Sequence, residues 1–90
     1  MKTEDLVNAV INNALDHAYI LAKQGKTAAL VNVDGNKLDS IDFKTDPTYY
    51  GLGSVVWERN FDGMTEEEVE EAWPEIVEEI REALYNYLDQ

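Results

Sequence analysis

Thr65 to Leu84 reads TEEEVEEAWPEIVEEIREAL, and this stretch decides the fold because it fixes a long helix at the end of the chain. Thr65 with Glu68 three positions on is the pattern of a capping box, in which each side chain accepts a backbone N–H of the first turn, and Met64 before the cap can staple onto Val69. Val69, Trp73, Ile76, Val77, Ile80, Leu84, Tyr87 and Leu88 recur at three and four, giving one apolar stripe. Pro74 has no N–H and crowds the preceding turn, so the spacing predicts a kinked continuous helix, ahead of two helices abutting at the proline.

Upstream, SVVWERN (Ser54 to Asn60) predicts a strand with Val55 and Trp57 on one face and Val56 and Glu58 on the other. TDPTYYGLG (Thr45 to Gly53) holds a proline and two glycines between apolar runs and reads as a loop. TAALVNV from Thr27 is rich in β-branched and apolar residues. It is followed by Asp34-Gly35-Asn36, suited to a tight hairpin, and by KLDSIDF (Lys37 to Phe43) as the return strand. At the N-terminus Thr3 can cap a helix whose stripe is Leu6, Val7, Val10, Ile11, Ala14, Ala18, Leu21 and Ala22, and Gly25 is its natural stop.

These elements predict one α+β domain over residues 1–90: a helix, a three-stranded antiparallel meander, then a long kinked acidic helix. Both helices cover one sheet face, the other face is free, and Trp57 and Trp73 tie the sheet to the last helix. Ninety residues, 44% of them hydrophobic, suit one small core rather than two. The chain has no cysteine, which removes disulfides and thiolate metal sites and fits a reducing compartment. Glu4 and Asp5 stand where an export signal needs a basic start, and no apolar run approaches the ~20 residues that span a bilayer. The expectation is a cytoplasmic protein with no membrane role.

Nineteen acids against seven bases give a net charge of −12, the opposite of a nucleic-acid-binding footprint, so the expected partner is basic. The glutamates concentrate in the last helix, nine of them between Thr65 and Leu84 beside one arginine and no lysine. Glu66, Glu67 and Glu68 suit the helix start, but Glu78, Glu79, Glu82 and Asp89 toward its end oppose the macrodipole. Five like-charge pairs lie four residues apart: Glu66/Glu70, Glu67/Glu71, Glu71/Glu75, Glu75/Glu79 and Glu78/Glu82. Together they destabilise the helix by about 1–2.5 kcal/mol at low salt. From Glu66 to Glu82 the helix advances about 24 Å, one carboxylate per roughly 3 Å of axis, close to the ~3.4 Å phosphate rise of one DNA strand.

Size, charge and glutamate density over the last third of the chain resemble the small acidic inhibitors that imitate nucleic acid, among them phage-encoded anti-restriction, anti-CRISPR and glycosylase-inhibitor proteins. Those proteins share no fold, so the resemblance transfers no residue roles. It implies a binding protein, not an enzyme, without cofactor or metal. Its partner would be a basic nuclease or Cas effector in the host cell cytoplasm, met through protein contact and not through direct nucleic-acid binding. The expected contact residues are Glu67, Glu70, Glu71, Glu75, Glu78, Glu79 and Glu82, extended by Asp39, Asp42, Asp46, Glu58 and Asp62 if these lie alongside. Tyr49 and Tyr50 join them as adaptable loop aromatics. An immunity protein or antitoxin facing a toxic nuclease is the alternative, YYG at Tyr49 to Gly51 being similar to a tripeptide of barstar-type inhibitors. A general adaptor binding through its aromatic patch is a third reading.

Other constellations read as structure. His17 beside Asp16 has no nucleophile brought to it, and adjacent helical residues point about 100° apart. Asn32, Asp34 and Asn36 alternate like calcium ligands, but Gly35 is misplaced for such a loop. Gly51 and Gly53 lack the Lys-Ser/Thr of a phosphate cradle.

Overall fold

A computed structural model describes residues 3–33 and 43–89. Helix α1 (Thr3–Lys23) leads into β1 (Thr27–Asn32), β2 (Phe43–Lys44), a 3-10 segment (Pro47–Leu52), β3 (Ser54–Asn60) and helix α2 (Glu66–Leu88). The α+β class, the antiparallel sheet and the long last helix are those the sequence predicts. Thr3 is the first helical residue of α1. The helix stops where expected: the Lys26 N–H bonds the Leu21 carbonyl and the Gly25 N–H bonds the Ala22 carbonyl, each at 3.0 Å, with Gly25 at φ +70. That is a Schellman ending, and a left-handed φ favours glycine.

The capping box of α2 is present, with Glu68 N–H donating to Thr65 Oγ1 at 3.1 Å and Thr65 N–H donating to Glu68 Oε1 at 3.0 Å. Helix α2 runs unbroken from Glu66 through Pro74 to Leu88, which rules out two abutting helices. Two other expectations fall in residues 34–42, outside the described ones: the Asp34-Gly35-Asn36 turn and most of the return strand. From that strand the structure describes only Phe43, which continues into Lys44 as β2.

Strand order corrects the expected meander. The sheet runs β2-β1-β3, with β1 in the centre and antiparallel to both neighbours. A meander needs a tight turn between β2 and β3, whereas the nine residues from Thr45 to Gly53 carry the chain across β1 to its far edge. Part of that connection is ordered, not a plain loop. Asp46 caps the 3-10 segment by accepting the Thr48 N–H at 2.8 Å, and Pro47 occupies the first turn, where its missing N–H costs nothing.

The second sheet face is also not free. Ala28 and Leu30 join the helices and Trp57 in the core, while Ala29 and Val31 point to the opposite face and are equally buried. The 3-10 segment lies against β1 and covers that face. Val55 departs from its expected place as well. Leu30 pairs with Trp57 but Val31 pairs with Val55, so Val56 is an extra residue, a bulge. The bulge turns Val55 to the outer face, where it is 45% exposed, while Trp57 is buried under the helices and Val56 packs at the core margin.

The helices pack antiparallel, since Tyr19 meets Glu70 and Trp73 while Asn8 meets Arg81. Buried Ala14, Ala18 and Ala22 give α1 a small-residue face. Phe61, Leu30, Ile76, Leu84, Val7 and Val69 fill the interior, each contributing roughly 1.5–3 kcal/mol through burial. Trp57 ties β3 to α2 through its indole N–H, while the half-buried Trp73 packs at the core margin with its ring tilted against Tyr19 of α1, centroids 4.8 Å apart.

Candidate acidic interaction surface

At about 100° per residue, α2 turns Val69, Ile76, Ile80 and Leu84 toward the core and Glu67, Glu71, Glu75, Glu78 and Glu82 to the opposite side, within an arc of about 80°. All five glutamates are exposed. They span about 22 Å of axis, or one carboxylate per roughly 5–6 Å. This is sparser than the all-residue density of the sequence, because the other four glutamates point elsewhere.

Those four include two of the expected contact residues. Glu70 lies on the α1 flank and accepts the Tyr19 hydroxyl at 3.1 Å. Burial, then this carboxylate, raises the Tyr19 phenol above its ordinary pKa. Glu79 lies on the sheet flank, where it accepts the Trp57 indole N–H at 2.8 Å and an Arg59 N–H at 3.2 Å. At this boundary position one oxygen satisfies the otherwise buried indole donor while the other meets the Arg59 guanidinium at the solvent edge. Glu68 belongs to the capping box. Both flank residues are exposed, but each also holds elements together.

On the stripe itself one ion pair forms, Arg81 Nε to Glu78 Oε1 at 3.7 Å, and Arg81 also donates to Asn8 Oδ1 at 2.9 Å. Among the described residues no cation pairs with Glu67, Glu71, Glu75 or Glu82. A shallow hollow floored by Pro74 is ringed by Glu75, Glu78, Glu79 and Glu82.

Tyr49 and Tyr50 are not brought to this stripe. They sit on the 3-10 segment, which packs on β1 and not on α2. Tyr50 donates its hydroxyl to Glu58, and burial followed by that bond pushes its pKa up to about 12. Half-buried Tyr49 lines a separate polar hollow with Asn13, His17, Lys44 and Asp46. Asp46 is held below the usual carboxylate range, chiefly by the Thr48 backbone N–H and only weakly by His17. Asp46 and Glu58 therefore lie on the 3-10 side and do not extend the stripe. Asp62 is exposed in the turn after β3, and Asp39 and Asp42 lie outside the described residues.

Asn32, weighed as a calcium ligand, is buried, and its side-chain amide donates to the Tyr87 hydroxyl at 2.8 Å. Among the described residues no three His, Cys, Asp or Glu side chains cluster to hold a metal ion, and no helix is long and apolar enough to cross a membrane. Comparison with protein-family models, curated proteins and solved structures finds no match to this chain.

Proposed function

We propose that the protein is a nucleic-acid-mimicking inhibitor whose α2 stripe occupies the phosphate-binding groove of a basic nuclease or Cas effector. One observation carries this reading: Glu67, Glu71, Glu75, Glu78 and Glu82 form a continuous exposed row whose side chains, among the described residues, enter no ion pair except that of Glu78 with Arg81. Carboxylates kept together without cations repel one another, so the row is unfavourable to the helix that bears it and favourable only when cations are brought to it. Lysine and arginine side chains arrayed for phosphates supply those cations. Phosphates wind around the duplex, so neighbours lie farther apart in space than their axial rise of ~3.4 Å. That brings a spacing of roughly 5–6 Å along the stripe into a comparable range.

The test is capture from a phage-infected lysate with the tagged protein, stepwise salt elution and competition by duplex DNA. The control carries Glu71→Lys, Glu75→Lys, Glu78→Lys and Glu82→Lys, sparing Glu79 because of its bonds to Trp57 and Arg59. Retention of a nucleic-acid-binding protein that is released by moderate salt and by DNA, and lost with the folded control, is the expected result. A partner held equally by both proteins refutes the reading.

A further inference from the structure

Strand β3 is an edge of the sheet: among the described residues its backbone pairs with β1 on one side and with nothing on the other. Unpaired N–H and C=O groups along such an edge are a template for another strand. The surroundings of this edge differ on the two faces. On the helix face, the bonds from Glu79 to Trp57 and Arg59 bring the Glu75, Glu79 and Glu82 flank of α2 against β3. A strand one spacing beyond β3, ~4.8 Å away, would place its helix-side residues beside these carboxylates and the Pro74 hollow. On the outer face stand Leu52, Val55 and the Tyr50 ring, 61%, 45% and 38% exposed, three of the four exposed large apolar residues described.

We propose that β3 receives a short extended segment of the basic partner as a fourth strand. Its alternate residues are cationic toward α2 and apolar toward Leu52, Val55 and Tyr50. This deepens the acidic-surface reading and rests on it for the sign of the partner's charge. The bulge at Val56 bends the edge, so regular pairing is confined mainly to Trp57 to Asn60, where the Tyr50 ring bonded to Glu58 is the apolar neighbour on the outer face, and the segment meets Val55 and Leu52 only where it runs on past the bulge. A second copy of this chain is the wrong occupant, because each copy carries a net charge of −12.

The experiment titrates isotopically labelled protein at low salt with a short peptide of alternating Lys and Val. In parallel it uses the same peptide methylated at every backbone nitrogen, which keeps the charge but cannot donate to an edge. The unmodified peptide is expected to protect amides between Trp57 and Asn60 from exchange and to bind about tenfold more tightly or better, the worth of one or two backbone hydrogen bonds. Equal affinities with shifts confined to α2 overturn strand addition and leave the acidic surface intact. Failure of both peptides to bind also overturns strand addition, and the lysate capture with the four-lysine control then decides the acidic reading separately.

Discussion

Replacing Glu71, Glu75, Glu78 and Glu82 with Gln should make the protein more stable while removing its proposed activity. The substitutions delete four like-charge contacts at four-residue spacing, Glu67/Glu71, Glu71/Glu75, Glu75/Glu79 and Glu78/Glu82. At 0.2–0.5 kcal/mol each, these are worth about 1–2 kcal/mol. They also delete the Glu78–Arg81 pair at 3.7 Å, solvent-exposed on its glutamate side and worth about 0.3–0.5 kcal/mol. Glutamine has nearly the helix propensity of glutamate and none of the four side chains is buried, so no packing is lost. The net gain is about 1 kcal/mol, which raises Tm by roughly 4–8 °C in a domain of this size. Thermal unfolding followed by circular dichroism at about 0.01 M salt should show that rise, and it should shrink toward zero at about 1 M salt, where the Debye length is ~3 Å. A variant that melts at or below the parent at low salt would refute the claim that the stripe opposes folding. A gain indifferent to salt would refute its electrostatic origin.

Glu79 should behave unlike its neighbours. Glu79→Ala strands the Trp57 indole N–H and should cost about 1–3 kcal/mol in urea unfolding, whereas Glu79→Gln keeps an acceptor and should lose less than half as much. Gly53→Ala places a Cβ 1.9 Å from the Asn32 carbonyl oxygen, so the β1–β3 pairing must shift. A loss of about 1–3 kcal/mol with amide shifts centred on Asn32 and Val33 is expected, and an unchanged spectrum would count against the close approach. Tyr50 has a folded pKa of about 12 against an ordinary value near 10, so its protonated form is the one the fold favours. That contribution is complete below about pH 10 and is lost as pH rises through about 12. Tyr50→Phe should abolish this part of the alkaline slope relative to the parent, as urea midpoints across that window would show.

What the sequence made legible was local. The Thr65/Glu68 box, the glycine stop of α1 and the limits of β3 each depend on residues a few positions apart, and each is found where expected. Strand order was not legible, because nothing in Thr45 to Gly53 says on which side of β1 the chain returns. Asp46-Pro47 did carry a cap-and-first-turn signal for the 3-10 segment. The bulge at Val56 had no marker, since consecutive valines read as unbroken strand. Within the candidate surface, helical phase alone sets Glu70 and Glu79 on the flanks. Their partners Tyr19 and Trp57 lie 51 and 22 residues away in sequence and required the packed fold.

Helix α2 explains why the acidic row belongs to the whole protein and not to the segment that spells it. Pro74 removes one backbone hydrogen bond at a cost of ~3 kcal/mol, the like-charge pairs add about 1–2.5 kcal/mol, and the capping box returns only about 1 kcal/mol. An isolated segment with that balance stays largely unfolded, since helix formation is cooperative and marginal in water even for favourable sequences. Burial of Val69, Ile76, Ile80, Leu84 and Leu88 against α1 and the sheet is what makes the helix continuous through the proline. The carboxylates thus acquire their regular spacing only when the core has formed. A peptide of residues 65–89 should lack both helical signal at low salt and competition for the partner of the intact protein. A helical, competing peptide would show that the stripe needs no scaffold.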